Sequence, residues 1–164
     1  MPNVNGAMAL DRIDRSLVRA LQKNARVSNK ALAEQVGLAP STCLARVRSL
    51  RARGVVRGFH AEVDPAALGR SAQALVAVRV QPHSRPVVES FWRHVLSLSE
   101  TLAIFHVSGT DDFLVHVAVA DTHALRDFVL DRLTSRPEVA HLETHLIFAQ
   151  ERNPVVEPLD RGER

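Results

Sequence analysis

Ser28-Asn29-Lys30-Ala31-Leu32-Ala33-Glu34-Gln35-Val36-Gly37-Leu38-Ala39-Pro40-Ser41-Thr42-Cys43-Leu44-Ala45-Arg46-Val47-Arg48-Ser49-Leu50 is the stretch whose reading decides the fold. Ser28 or Asn29 can cap a short helix, because a small polar side chain accepts from a free amide of the first turn. Ala31, Leu32, Ala33 and Val36 supply that helix's packing side. Gly37 ends it, since glycine is free to take the positive φ of a helix stop. The next helix starts at Pro40, Ser41 or Thr42: proline suits a first turn, and Ser41 can satisfy an orphan amide there. Leu44, Val47 and Leu50 are its expected inward stripe. Two helices around a glycine turn predict a helix-turn-helix over about residues 28–49.

Upstream, Asp11 precedes Ile13, Leu17, Ala20 and Leu21, whose i, i+4, i+7, i+8 spacing marks one buried helix face. Asp11 and Asp14 suit the positive end of that helix. Downstream of Gly54, Val55-Val56 and Phe59 to Val63 read as two short strands around Arg57-Gly58. Three helices and a basic hairpin together predict a winged helix-turn-helix over residues 10–70, whose third helix enters the DNA major groove. On that helix Thr42, Arg46, Ser49 and Arg53 recur at spacings of four, three and four. Between Arg46 and Arg57 the chain holds five arginines and no acidic residue. The candidates for DNA contact are Asn29, Ser41, Thr42, Ala45, Arg46, Ser49, Arg53 and Arg57. Ser41, Thr42, Ala45 and Arg46 are the ones for base or groove contact, and Arg46 and Arg53 are equally suited to phosphates. A lone arginine is ordinarily a solvated helix face; an all-basic third helix after such a turn points to nucleic acid.

The totals agree with two small domains. In 164 residues, 46% are hydrophobic and 24% charged, ordinary values for a globular protein. Through Arg70 there are 12 Lys/Arg against 5 Asp/Glu, and after it 9 against 13. A basic half joined to an acidic half fits a separate DNA-binding module, because phosphate attraction is the sequence-independent part of DNA affinity. No apolar run approaches the roughly 18 residues of a membrane span. Met1 to Leu10 lacks the basic-then-apolar pattern of a signal peptide. The single cysteine, Cys43, forms no intramolecular disulfide and fits a reducing compartment. A cytoplasmic protein is expected.

From Ser71 to Gln150 the pattern changes to strands and helices. Ala72 to Val80 alternates as a strand should. Pro82 and Pro86 bracket a loop leading to a helix with Val88, Phe91, Trp92 and Val95 on its buried face. Thr101 to Val107 and Phe113 to Val119 are strand-like, joined by the polar turn Ser108-Gly109-Thr110-Asp111-Asp112. Asp121 caps a second helix packing through Leu125, Phe128, Val129 and Leu133; Pro137 closes it and Val139 to Phe148 is the last strand. The order β-α-β-β-α-β predicts an α+β, ferredoxin-like sandwich over residues 71–150. Both helices then lie on one face of the sheet. Ile104, Leu114 and Ala118 are expected on the other face, too apolar to leave in water, so a homodimer follows. Two readers on one duplex also match palindromic sites. Residues 151–164 read as a flexible tail.

These residues resemble the leucine-responsive/asparagine-responsive (Lrp/AsnC, feast/famine) transcriptional regulators. The resemblance is carried by Leu10-Asp11-Arg12-Ile13-Asp14, Leu21-Gln22, Arg26-Val27-Ser28-Asn29, Leu32-Ala33, Val36-Gly37-Leu38, Pro40-Ser41-Thr42-Cys43-Leu44-Ala45-Arg46-Val47 and Gly54-Val55-Val56-Arg57-Gly58-Phe59. Val107 to Leu114 carries it, less specifically, in the second half. It implies a C-terminal amino-acid-metabolism regulation domain that dimerises through its sheet and stacks dimers into discs, commonly of four dimers. It implies a free amino acid as effector, held near Ser108, Gly109, Thr110, Asp111 and Asp112, with Thr144 as a polar contact. The chemistry agrees in part: turn amides and hydroxyls suit a carboxylate, and Asp111 or Asp112 an ammonium. Thr110-Asp111 departs from the acidic and then usually aromatic pair of the family.

Other chemistries find little in the chain. His141 and His145 share a strand face but stand roughly 13 Å apart, too far for one metal ion. There is no Cys/His cluster at zinc spacing. Cys43, at the start of the third helix, is a packing residue before it is a redox sensor. No nucleophile motif, phosphate-binding glycine loop or acid–base pair is present, so no cofactor and no enzyme activity are expected. The expected function is a sequence-specific regulator of amino-acid metabolism or transport genes. The rivals are a broad nucleoid-organising, DNA-bending protein and a small-molecule-binding or enzyme module.

Overall fold

The computed structural model describes residues 10–159. Met1 to Ala9, and the part of the expected tail from Asp160 to Arg164, lie outside the described residues. The chain divides into two compact units, one running to Ala61 and taking in the residues from Glu151, the other spanning Glu62–Gln150.

In the first unit, α1 (Arg12–Lys23), α2 (Asn29–Val36) and α3 (Pro40–Ala52) pack around Leu17, Leu21, Leu32, Ala33, Cys43 and Leu50. Ser28 caps α2, its hydroxyl accepting from Ala31 N at 3.2 Å. Gly37 follows at φ 68, in the left-handed region that a side chain would strain. These helices form the expected helix-turn-helix. The inward stripe of α3 differs from the one expected: Cys43, Val47 and Leu50 face the core, while Leu44 is 39% exposed. The spacing explains it. At about 100° per residue, positions 43, 47 and 50 fall within about 60° of one another, whereas Leu44 lies about 100° round from Cys43, off that side.

No strand follows α3 among the described residues of this unit. The hairpin expected at Val55-Val56 and Phe59 to Val63 does not form; residues 57–64 are without regular structure. Val55 N and Val56 N both donate to Leu50 O, at 2.9 and 3.2 Å, closing the helix instead of entering a ladder. A two-residue run has too few groups left to hold a partner strand.

The second unit has the expected ferredoxin-like order. β1 (Ala72–Val80), α4 (Arg85–Ser97), β2 (Thr101–His106), β3 (Phe113–Val119), α5 (Thr122–Phe128) and β4 (Val139–Leu146) form it, with a wider-turned π segment, Val129–Thr134, continuing α5. The sheet order is β2-β3-β1-β4, each neighbouring pair antiparallel. Asp121 caps α5, accepting from Ala124 N at 2.8 Å, and that amide holds its carboxyl below the usual range.

Phe91 and Val95 of α4 and Leu125 and Phe128 of α5 cover Ala74, Val76, Val78 and Val80 of β1 and Phe113, Val115 and Val117 of β3. The opposite face carries Leu75, Ala77, Leu114, His116 and Ala118, flanked by Ala103 and Phe105 of β2. Ile104 belongs to the covered side, contrary to expectation, because it pairs with Val115 and not with Leu114. A register offset of one residue moves a strand's whole set to the other face.

Candidate DNA interface and ligand site

Charge fixes α3 against α1. Asp11, the N-cap of α1, accepts from Asp14 N at 2.7 Å, and its Oδ2 accepts from Arg46 Nη1 at 2.6 Å. Arg46 Nη1 also donates to Asp14 Oδ1, and Arg53 Nη2 to Asp14 Oδ2, each at 3.0 Å. Asp14 is 6% exposed, the one buried charged residue among those described. A carboxylate removed from water needs paired, hydrogen-bonded cations, and here it has two. The Asp14 amide first and the Arg46 guanidinium next hold the Asp11 carboxyl below its ordinary range. Asp11 and then Asp14 raise Arg46 in turn.

The candidate DNA residues therefore divide. Arg46 and Arg53 point at α1 and are occupied there. Thr42 and Ser49, from the same stripe, stay exposed, as do Ser41 and Ala45. Arg48, not singled out from sequence, shares their side: Ser41, Ala45, Arg48 and Ala52 recur at four, three and four and are all exposed. Helical spacing alone could have found it. Asn29 Nδ2 donates to Pro40 O at 2.8 Å, joining the first turns of α2 and α3. No side chain caps α3, so its first-turn amides stay available to a phosphate. Arg57 is exposed beyond the helix, and the Arg51 guanidinium lies 5.8 Å from the centroid of the Phe59 ring. Cys43 is fully buried, and burial pushes its thiol up. A packing thiol of this kind is inert.

In the second unit, Ser108–Asp112 joins β2 to β3, with Gly109 at φ 131. Asp112 is committed to the scaffold. Its Oδ2 accepts from Val80 N and its Oδ1 lies against His83 Nδ1, both at 2.8 Å, while its own N donates to Val78 O at 3.0 Å. Arg79 Nε donates to Thr110 O at 2.7 Å. Asp111 is different: among the described residues Oδ2 meets Thr110 Oγ1, at 3.3 Å, and Oδ1 is buried without a hydrogen-bond partner. Thr144 is not gathered with them. It stands exposed on β4 opposite Val76, on the far side of β1 from the hairpin's strands. Cavities of about 550 Å³, beside Arg70, Ala118 and Phe128, and about 410 Å³, beside Pro82, Val87 and Arg136, lie elsewhere in this unit. Neither is lined by Ser108–Asp112 or Thr144. Among the described residues no three His, Cys, Asp or Glu side chains are placed to hold a metal ion, and no helix is long and apolar enough to cross a membrane.

Both units match known families in the same order. Residues 10–51 match the AsnC-type helix-turn-helix domain, and residues 73–155 match the Lrp/AsnC ligand binding domain. The chain belongs to the Lrp/AsnC family of transcriptional regulators. This Lrp/AsnC protein is 45% identical over 142 residues to the HTH-type transcriptional regulator AldR of Mycolicibacterium smegmatis, covering 87% of this chain and 83% of that one. It is 35% identical over 141 residues to the leucine-responsive regulatory protein of Escherichia coli, covering 86% of each. In three dimensions it is similar to a transcriptional regulator of Neisseria meningitidis solved as a complex with L-Met. There the TM-score is 0.84 at 30% identity, over 93% of this chain and 98% of that one. It is thus a DNA-binding transcriptional regulator with a ligand-binding domain, and not an enzyme.

Proposed function

We propose that this regulator reads DNA with the exposed side of α3, through Ser41, Thr42, Ala45, Arg48 and Ser49, and answers to a free amino acid held at Ser108–Asp112. Arg57 contributes from beyond the helix, and Asn29 acts by holding the start of α3. The observation that carries the DNA reading is the separation of the arginines. Arg46 and Arg53 neutralise buried acid, leaving Arg48 as the cation amid small polar side chains that can approach base edges.

For the ligand, the deciding residue is Asp111. A buried, unpartnered carboxylate oxygen is costly, and an ammonium is the group that would satisfy it. Ser108 and Thr110 add hydroxyls, and the turn adds amides for a carboxylate. The complex of the Neisseria relative with L-Met supports the same ligand class. The hairpin lies at the surface with no enclosing wall, so a second subunit completes the pocket and Thr144 contributes from β4. Pairing of the open sheet faces gives the homodimer, and dimers assemble into the octamer-like disc. The regulated genes belong to amino-acid metabolism or transport.

Selection from a random duplex library, followed by footprinting, tests the DNA half. A few protected palindromic sites are expected; uniform coverage would instead mark a nucleoid-organising protein. Thermal shift and DNA affinity measured across the twenty amino acids test the other half. One or a few should stabilise the protein and alter its DNA affinity; no response to any would end the amino-acid reading.

A further inference from the structure

The last described residues are not idle. Beyond Gln150 the chain returns to the unit that holds the helix-turn-helix. Gln22 Nε2 donates to Val156 O at 3.1 Å, and Gln22 Oε1 accepts from Val156 N at 2.8 Å. One residue on, Glu157 Oε1 accepts from Arg19 Nε at 2.9 Å. Arg19 and Gln22 are one turn apart on α1, so they project from the same side. A side-chain amide that both donates to and accepts from one backbone residue holds extended peptide as a neighbouring strand would. Glu157 adds charge recognition by a helix that also carries Arg12, Arg15 and Lys23. Val155 N donates to Asn153 Oδ1 at 3.1 Å, shaping the segment just before it docks.

We infer that this side of α1 is an intramolecular docking surface for the chain's own C-terminal segment, Val155–Glu157. The dock lies wholly within the unit that holds the helix-turn-helix. Residues 147–154 form a short tether between β4 and the docked segment. Within the helix-turn-helix unit the Asp14 ion pairs join the docked helix α1 to α3. The contacts are exposed, with side-chain exposures of 58% and 54% for Arg19 and Glu157, so the dock is reversible rather than a fixed seam.

Amide hydrogen exchange on the full chain tests this without any ligand. The Val156 amide should exchange about tenfold more slowly in the wild type than in Gln22→Ala, a half-buried helix position where alanine keeps the helix propensity. Arg19→Glu should lose part of that protection, and the double variant Arg19→Glu/Glu157→Arg should regain it. Equal exchange at Val156 in wild type and Gln22→Ala would overturn the inference. Protection that disappears on tenfold dilution would overturn it too, by making the occupant another copy's tail. Ending the chain after Asn153 should speed exchange along α1 severalfold and leave β1 and β3 unchanged.

Discussion

Two pairs of aspartates behave in opposite ways. Asp11 and Asp14 stand beside α3, and every carboxylate oxygen involved meets an amide or an arginine. Asp111 and Asp112 stand in the ligand-unit hairpin, where Asp112 is satisfied by Val80 and His83 while Asp111 keeps a buried oxygen with no partner. A satisfied acid is scaffold, and its cations are withdrawn from outside business. The unsatisfied one is the acid to which the proposed ligand's ammonium is assigned.

The largest effect should come from breaking the satisfied pair. Asp14→Ala would leave the half-buried Arg53 guanidinium without its acid and Arg46 with Asp11 alone, costing about 2–3 kcal/mol. Urea denaturation followed through α1 and α3 should report this, with DNA binding lost alongside; a change under about 0.5 kcal/mol would mean Asp14 is no scaffold. Next comes Arg48→Ala, expected to weaken DNA binding about tenfold with unaltered thermal stability. The hairpin pair offers a smaller contrast. Asp112→Ala should destabilise the ligand unit by about 1–2 kcal/mol as two hydrogen bonds go. Asp111→Asn should leave stability within about 0.5 kcal/mol but abolish the amino-acid thermal shift. If Asp112 governs the ligand response and Asp111 does not, the comparison is reversed.

The smallest effect is a pH dependence from the open sheet face. His116 Nε2 donates to Gln73 Oε1 at 2.9 Å, and burial lowers its pKa from the ordinary 6.5. The neutral ring is thus the native form. Its contribution is complete above about pH 6.5 and is lost as pH falls through the depressed native value. His116→Gln should flatten the decline in thermal stability on the acid side of pH 6.5, and an unchanged decline would remove His116 from it. Asp11 and Asp121, both lowered, act further down, losing their contribution as pH falls below about 3.8.

Much of this architecture was legible because it is local. Ser28, Gly37 and Asp121 announce helix ends through their own chemistry, and the alternation in Ala72–Val80 and Phe113–Val119 gave β1 and β3 to the residue. What escaped depends on where an element points. The stripe Thr42, Arg46, Ser49 and Arg53 is a real helical stripe, but only the approach of α1 shows that it faces two acids. Ile104 needed the register of β2 against β3. The absent hairpin needed to know that Leu50 O draws in the amides of Val55 and Val56. Asp111 and Asp112 are indistinguishable in sequence; their difference arises from Val80 and His83, about thirty residues away in the chain.

The most direct test of the central claim is the salt dependence of DNA affinity for wild type, Arg46→Gln, Arg53→Gln and Arg48→Ala, with thermal stability measured alongside. An arginine that neutralises a phosphate contributes about 0.9 to the slope of log K against log salt for each copy bound. Arg48→Ala should lower the slope by that amount at constant stability. Arg46→Gln and Arg53→Gln should lower stability and leave the slope unchanged. A slope that falls in Arg46→Gln or Arg53→Gln, with stability intact, would contradict the account and return those arginines to the DNA.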